Sequence, residues 1–556
     1  MRVLFLLLLA GLLSLAPTPS QAQEALPDLT PREFEIQGDL QVDFSGIRRQ
    51  PLSGFGPPPR AYVVPAERAP TERVYGFPLE QIEPPELPAQ PIPKTDLLRP
   101  LTGTVEGLAG VYAARAARLR LQQSGATGAF FLDADYDGLS TYSPFDAAVS
   151  SGTAIYNRAG GTVGYESSAG WQIEAGGQFV DHELYGAAFA APGALAGSAL
   201  PDQPTRTTVH GHLLARFGDA ESPASGTLRY DYASTATDLD AFATPATLAA
   251  DDPTEGRLTA SGHATWRRLH LDGHGSIAGA DAAVGTDIVG AGAGLALALR
   301  QTRTSSLRLG ARVLFTEGVL GTTTAVGPLV AFELRPRRGT VRVFAENSPR
   351  VVHQGLASVF AANPFAERAP LIMPEIRPVD ARAGVRTQFG EIQATVYGGA
   401  QWGDHAQFFE RNAQTGLFTV GYDEAQRFFG GVEAAFGSPD RIEATVGVEA
   451  RSGRLVDADA DLPYYAPVVA TASVATALLN ERLRLGLHAR AEGVRPASVA
   501  GDEAPGFLDL SAEASYRFNE RFDVVVRGGG LAGEVERWDG YPEAPFTMLG
   551  GLRARW

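Results

Sequence analysis

The chain has 556 residues, of which 44% are hydrophobic, with a formal net charge of −16 and no cysteine. Without cysteine the protein has no disulfide framework, zinc finger, iron–sulfur cluster or cysteine nucleophile. The acidic balance argues against a nucleic-acid binder, which needs a basic patch or stripe, so no nucleic-acid partner is expected.

Residues 1–22 have the pattern of a secretory signal peptide. An arginine precedes an apolar run over residues 3–13, and the small residues Ser20 and Ala22 predict cleavage before Gln23. An N-terminal membrane anchor is the alternative, but the run is shorter than the roughly 20 apolar residues of a spanning helix. The sequence therefore predicts an exported protein.

Residues 23–104 form a proline-rich segment that we expect in the periplasm. Fifteen of the residues from 24 to 100 are proline, which removes backbone donors and fixes φ, so a continuous sheet or helix is excluded. Only residues 34–44 alternate apolar and polar side chains, the pattern of a short strand. The segment is predicted to be a tether, and residues 24–100 offer a periplasmic protein a place to bind.

From residue 105 to residue 556 the sequence has the pattern of successive antiparallel strands. Residues 442–450, 483–492 and 508–518 each alternate apolar with polar side chains over about ten residues, the length of a tilted strand that crosses a bilayer. Strands of soluble domains are more often five or six residues long. The predicted fold class is all-β: a large transmembrane antiparallel β-barrel of about 22 strands, within a range of roughly 16–22.

The connections between these strands are predicted to alternate in length. Long connections fall at 348–381, 402–427, 452–466, 494–506 and 531–545, and short ones at Gly390, 438–440, 478–481 and 519–520. Outer-membrane barrels have short periplasmic turns and long extracellular loops. The protein is therefore placed in the cell outer membrane, with its long loops outside.

Aromatic residues fall near the strand ends, on the face that is predicted to contact outer-membrane lipid. At the inner ends these residues are Phe217, Trp266, Phe332, Phe389, Phe436, Phe518 and Trp556. At the outer ends they are Tyr136, Phe179, Phe315, Trp402, Phe428 and Phe546. Two such rows predict the aromatic girdles that flank the apolar band of a membrane barrel.

The C-terminal part resembles the barrel of TonB-dependent receptors, in the divergent form of Bacteroidota-like bacteria. The resemblance is carried by Tyr516-Arg517-Phe518, by the loop 536–542, by Asn363-Pro364-Phe365 and by the closing strand that ends at Trp556. A terminal aromatic strand resembles the signal that the barrel-assembly machinery recognises, so this machinery is an expected partner. The resemblance implies energised uptake of a scarce ligand. Residues 23–104 are too few and too rich in proline for the plug of that family, so a barrel without a plug is predicted.

Five histidines are candidate metal ligands in the barrel lumen. They are His210, His212, His263, His270 and His274, and all five are predicted on the lumen face of nearby strands. Imidazole is a common transition-metal ligand. A polar lumen needs such side chains in any case, so the alternative is that they have no metal-binding role.

Two acidic runs resemble calcium loops only in part. Asp133, Asp135 and Asp137 match the first half of an EF-hand loop, but Pro144 stands where the bidentate glutamate belongs. Asp457, Asp459 and Asp461 alternate in a predicted external loop without the required glycine. Neither run predicts a calcium site, and the sequence indicates no cofactor.

Two functions follow from this pattern, and both lack catalysis. The first is transport or passage of a ligand through an outer-membrane barrel. The alternative is a non-transporting scaffold that partners a periplasmic or surface machine through the N-terminal segment. An outer-membrane enzyme is a third class, but no Gly-x-Ser-x-Gly or Ser-x-x-Lys motif is present, so the protein is predicted not to be an enzyme.

Overall fold

The structure is a computed structural model that describes residues 101–142, 154–183, 205–218, 222–238, 252–266, 268–281, 286–319, 321–336, 340–368, 370–412, 416–438, 442–533, 535–543 and 546–556. The predicted signal peptide, the proline-rich segment up to residue 100 and the strand at 34–44 lie outside these residues. No helix among the described residues is long and apolar enough to span a membrane.

Strands make up most of the described chain. Their bounds are Thr102–Gly110 (β1), Arg115–Ser124 (β2), Gly128–Tyr142 (β3), Ala154–Ser167 (β4), Trp171–Glu183 (β5), Thr205–Phe217 (β6), Ala224–Asp238 (β7), Thr254–Trp266 (β8), Leu269–Asp281 (β9), Thr286–Gln301 (β10), Ser305–Gly318 (β11), Gly321–Leu334 (β12), Val341–Asn347 (β13), Arg350–Val352 (β14), Glu375–Phe389 (β15), Ile392–Arg411 (β16), Phe418–Ser438 (β17), Ile442–Leu455 (β18), Ala460–Asp461 (β19), Val468–Leu478 (β20), Leu483–Glu492 (β21), Arg495–Pro496 (β22), Glu503–Ala504 (β23), Phe507–Arg517 (β24), Phe522–Gly529 (β25), Glu536–Trp538 (β26), Tyr541–Pro542 (β27) and Thr547–Arg555 (β28). An α-helix, Leu356–Ala362 (α1), and a short 3-10 turn, Val111–Ala113, complete the described elements.

The strands form one closed antiparallel barrel. The main sheet contains 24 strands, of which β14 and β19 are short additions at the outer end, which leaves the 22 that go round the barrel. The first and last strands pair from Thr104 with Arg555 to Gly110 with Leu549, so the sheet has no free edge. The predicted fold class and strand number are confirmed.

The two ends of the barrel differ in the length of their connections, as predicted. Turns such as 390–391 and 518–521 join strands at the inner end, while the connections 348–374 and 530–546 lie at the outer end. The first strand begins at Thr102, three residues before the predicted start at 105.

The predicted loop at 402–427 is wrong, because most of it is strand. β16 and β17 are 20 and 21 residues long, and only residues 412–417 separate them. A β-bulge between Gly403 and Ala406 shifts the register. A bulge interrupts the alternation of side chains by which strands are recognised, which explains the error.

Side chains alternate between the lipid face and the lumen along each strand. On β18, Ile442, Val446 and Val448 are 44%, 51% and 49% exposed on the outer face, while Glu449 points inward, where it accepts a hydrogen bond from the Tyr397 hydroxyl. An outward band of apolar residues and a polar interior are the pattern of an outer-membrane barrel. The protein is therefore an outer-membrane protein.

A network of ion pairs joins the first strand to the last ones. Glu106 on β1 is 4% exposed, and its carboxylate lies 2.7 Å from the Arg527 guanidinium and 2.6 Å from that of Arg553. Glu513 binds the same two arginines. This lumenal network links β1 to β24, β25 and β28 across the point where the barrel closes.

Candidate gate at the outer mouth of the barrel

The connection between β13 and β15 folds inward across the barrel. We call residues 348–374 the mouth loop. Its helix α1 buries Leu356, Val359 and Phe360, and they pack in one cluster with Ala233, Ala278 and Ile288 of the wall strands. Those three wall residues alternate with exposed outward residues on β7, β9 and β10, so they face the lumen. The helix therefore lies inside the barrel mouth.

The start of α1 is fixed by a carboxylate from the wall. The backbone N–H of Leu356 donates to Glu255 on β8 at 2.5 Å, and Glu255 is 3% exposed and also paired with Arg257. A free N–H at a helix start needs such an acceptor. At Gly355 a Cβ would lie 1.6 Å from the Arg257 guanidinium, so a larger residue there would displace the arginine that pairs with Glu255.

Arg206 on β6 holds the second half of the mouth loop. Its guanidinium donates to the carbonyl oxygens of Pro364 at 2.5 Å and Ala366 at 2.6 Å, and it lies 4.3 Å from the centre of the Phe360 ring. Arg206 is 2% exposed. Because its cation is satisfied mainly by loop carbonyls and an aromatic face, removal of the loop would leave it without these partners.

The mouth loop is also tied to the outer loops on the other side. Phe365 stacks on Tyr541 with ring centres 3.8 Å apart. The ring centres of Phe418 and Trp538 are 5.1 Å apart. Backbone hydrogen bonds join the loop to β17, since Phe418 donates its N–H to the Phe365 carbonyl at 2.9 Å. We call Phe365, Phe418, Trp538 and Tyr541 the aromatic cluster.

One further outer connection, that between β21 and β24, braces the aromatic cluster. Arg495, which is 2% exposed, donates to the carbonyl oxygens of Glu536 at 2.7 Å and Arg537 at 2.6 Å. Arg537 pairs with Asp509 at 2.8 Å and with Glu543 at 2.6 Å. Burial raises the pKa of Glu543, and the nearby Arg537 opposes this shift. The connections 493–506 and 530–546 are thus joined to each other in the part of the chain that the structure describes.

The first arm of the mouth loop contacts a histidine-containing part of the wall. The His353 ring lies against Ser276 on β9, with the Ser276 hydroxyl 2.6 Å from Nε2 and 2.9 Å from Nδ1. Burial lowers the pKa of His353 to about 3, and Arg257 and His274 add to this shift. The imidazole is therefore neutral in the structure at neutral pH.

The five predicted histidines lie along the wall without converging on one point. His210 Nε2 is 3.2 Å from Asp231, and His212 Nε2 is 3.0 Å from Glu174. His263 is 2.7 Å from the Ser225 hydroxyl, His270 is 3.1 Å from the Thr265 hydroxyl, and His274 contacts the backbone of Val351. Within the described ranges no three histidine or acidic side chains form a group that could hold a metal ion.

The acidic runs have arginine partners. Asp133 pairs with Arg120 at 2.9 Å, and Asp135 lies 3.7 Å from Arg158. In the outer loop, Asp459 pairs with Arg454. Asp133 and Asp135 are thus paired within the wall, and Asp459 is paired in the outer loop.

Most predicted girdle residues are strongly exposed on the outer face. The exposed fractions are 59% for Phe217, 68% for Trp266, 63% for Phe389, 38% for Phe436, 73% for Phe518, 51% for Trp556, 46% for Trp402 and 41% for Phe546. Phe315 is half-buried. Exposure of large rings at both strand ends is what a girdle requires. Trp402 departs from the prediction, because it lies in the middle of the 20-residue strand β16 and not at its end. The contact of these rings with lipid stays a prediction.

Sequence reasoning did not find the residues that hold the mouth loop. Arg206, Glu255 and His353 carry no local signal, because each is an ordinary polar residue in its own segment. The segments that contain Phe365 and Tyr541 carry part of the family resemblance in the sequence, but nothing in either segment predicts that the two rings stack on each other.

Comparison with known proteins gives the fold a context. No protein-family model matches the chain, and no curated protein matches its sequence. Among solved structures, the FrpB iron transporter from Neisseria meningitidis has a TM-score of 0.61 at 9% identity, covering 83% of this chain and 82% of that one. The copper transporter OprC has a TM-score of 0.59 at 13% identity, covering 83% and 80%. The siderophore receptor PirA from Acinetobacter baumannii has a TM-score of 0.55 at 12% identity, covering 82% and 80%.

These proteins are TonB-dependent receptors, and the described part of this chain has the fold of their barrel. The resemblance inferred from the sequence is thereby confirmed at the level of fold. The predicted lack of a plug concerns residues before 101 and stays a prediction.

Proposed function

We propose that the protein passes a ligand across the outer membrane through the barrel lumen, and that the mouth loop gates this path. The observation that carries the proposal is the double attachment of the loop. Arg206 and Glu255 tie it to β6 and β8. Phe365 ties it to Phe418 of β17 through a backbone hydrogen bond and to Tyr541 through ring stacking. Barrels of about 16–18 strands already enclose a water channel, so a larger barrel needs a closure of this kind.

The similar structures support a transport role without catalysis. FrpB is an iron transporter, OprC is a copper transporter and PirA is a siderophore receptor. By analogy with them, we propose a small metal ion or metal complex as the class of cargo. The lumenal histidines, His210 and His212 foremost, are proposed as weak transient contacts for such a cargo.

Two protein partners belong to the same proposal. The closing strand β28, with its terminal Trp556, is proposed to be recognised by the barrel-assembly machinery. Residues 24–100 are proposed to bind a periplasmic protein. Deletion of 24–100 should leave a barrel that still assembles but no longer retains that protein in a pull-down, and failure of the truncated barrel to assemble would give the segment a structural role instead.

A cross-link tests the gate directly. The chain has no cysteine, so Asp252→Cys with Arg368→Cys supplies the only two thiols, at the site of an ion pair of 3.0 Å between wall and mouth loop. A short bifunctional thiol reagent should then lower the KCl conductance of the protein in planar bilayers. The matched control is Arg454→Cys with Asp459→Cys, an ion pair at the outer end of β18 that does not touch the mouth loop.

The outcomes separate transport from a scaffold. Reduced conductance in the first pair alone supports the gate. Equal conductance before and after cross-linking of the first pair would show that the mouth loop does not limit passage. The absence of conductance in every variant would favour the non-transporting scaffold.

A further inference from the structure

We propose that the inner end of the lumen carries a binding site for small oxyanions with two or more negative charges, the class that includes phosphate and pyrophosphate. The site is formed by Arg308 on β11, Arg335 just after β12, Arg342 on β13 and Arg386 on β15. We call these four residues the arginine sector. It lies at the end of the barrel opposite the mouth loop, so the inference goes beyond the proposed gate and does not depend on it.

The side chains of the arginine sector face the lumen. Leu309, Leu334 and Val385 are 39%, 38% and 41% exposed on the outer face, and each is next in sequence to an arginine of the sector. Successive side chains of a strand point to opposite faces. Arg342 is the register partner of Arg386 and therefore shares its face.

One buried carboxylate lies within the sector. Glu333 on β12 is 7% exposed, and its Oε1 is 2.6 Å from Arg335 Nε and 2.9 Å from Arg342 Nε. The Ser306 hydroxyl, on β11 opposite Glu333, has no hydrogen-bond partner within the described chain. A bound oxyanion would therefore find a neutral donor beside the guanidinium groups.

Two of the arginines stand directly opposite each other. Arg342 on β13 pairs in register with Arg386 on β15, and like charges in this position repel. An oxyanion between the two guanidinium groups replaces this repulsion by charge-assisted hydrogen bonds. The planar fork of arginine matches the oxygens of phosphate groups in geometry as well as in charge.

The ion network between the first and last strands shows, by contrast, a balanced lumenal cluster. It joins three carboxylates to three arginines, namely Glu106, Glu513 and Asp523 with Arg527, Arg553 and Arg555. The arginine sector has four guanidinium groups against Glu333 and the exposed Glu391 of the turn after β15, which leaves two positive charges in excess. Glu433 on β17 lies beside Arg382 instead, at 3.9 Å. An anion with two charges matches this excess.

Titration calorimetry of the purified full chain in detergent tests the site, with pyrophosphate as the probe at constant ionic strength and without metal ions. We expect saturable binding that KCl of equal ionic strength does not reproduce. Arg342→Gln and Arg386→Gln should each weaken it roughly tenfold, because each removes a charged donor. Arg484→Gln is the matched control and should leave the affinity unchanged, since Arg484 faces the lumen on β21, outside the sector.

Glu333→Gln should have the opposite sign. This variant removes the carboxylate that competes with the ligand for Arg335 and Arg342, so pyrophosphate should bind more tightly than to the unaltered protein. General damage to the barrel would weaken binding instead. Heat-modifiability on gels checks that each variant is folded.

Three outcomes would overturn the site. They are the absence of saturable binding, an equal loss of affinity in Arg484→Gln, and binding that appears only after deletion of residues 24–100. The last would assign the arginine sector to an acidic part of this same chain, since residues 24–44 contain six acidic residues and one arginine. The titration needs no bilayer, so failure of the proposed gate or of passage through the lumen leaves its result unchanged.

Discussion

At the scale of single residues, the lipid and lumen faces differ by one position along a strand. Val446 is 51% exposed on the outer face, while its neighbour Thr445 faces the lumen, where its hydroxyl lies 2.5 Å from that of Ser473. A side chain placed at position 446 therefore contacts lipid, whereas the same side chain placed at position 445 contacts the water of the lumen. This difference can be measured by placing a charge at each.

Val446→Arg should destabilise the barrel by about 2–4 kcal/mol, because lipid offers an arginine no water or counter-charge. Thr445→Arg is the matched control and should be tolerated. The measurement is the folded fraction of each variant in a heat-modifiability or urea titration. Equal losses in the two variants would mean that the register of β18 is wrong.

At the scale of elements, the mouth loop is structurally separable from the barrel, because the barrel strands pair with one another without it. It begins after β13 and ends before β15, and residues 348–374 contribute only the short strand β14 to the main sheet. Its stability comes from buried contacts with the wall and with the aromatic cluster. The barrel itself is held by strand pairing that does not pass through the loop.

Replacement of residues 353–372 by a short glycine–serine linker should therefore leave an assembled barrel. The same change should raise its KCl conductance, because the helix no longer lies in the mouth. Planar-bilayer recordings give the conductance, and heat-modifiability gives the folded fraction. A linker variant that assembles with unchanged conductance would show that other segments close the lumen.

At the scale of the whole molecule, closure of the barrel depends on contacts between the two ends of the described chain. The backbone of Gly103 exchanges hydrogen bonds of 3.0 and 3.1 Å with Trp556, and Glu106 lies between Arg527 and Arg553. Loss of one member of a buried ion network leaves the others with uncompensated charge.

Glu106→Ala should accordingly lower the unfolding free energy by about 3–5 kcal/mol, because two arginines lose a shared carboxylate. Glu433→Ala is the control, since Glu433 is 47% exposed on its side chain and only 3.9 Å from Arg382. Urea unfolding in detergent or lipid measures both. Similar small losses of unfolding free energy in the two variants would indicate that strand pairing alone holds β1 against β28.

The orientation of the barrel makes a second prediction at this scale. Cysteines placed singly at 457–461 or 531–533 should react with a membrane-impermeant reagent on intact cells, whereas cysteines at 479–482 or 519–520 should not. The reason is that the first set lies in outer connections and the second in inner turns. Equal labelling of the two sets would contradict the orientation.

The sequence by itself determined the barrel and its two faces, whereas only the tertiary structure decided the gate. Alternation of side chains has a period of two residues, so it can be seen within one strand, and the strand lengths followed from the thickness of a bilayer. The bulge at 403–406 broke that local pattern, and the long hairpin β16–β17 was missed for this reason. The contacts of the mouth loop are of a different kind, since Arg206 and Ala366 are 160 residues apart in the chain. Nothing near either residue specifies the other, because their meeting depends on closure of the whole barrel around them.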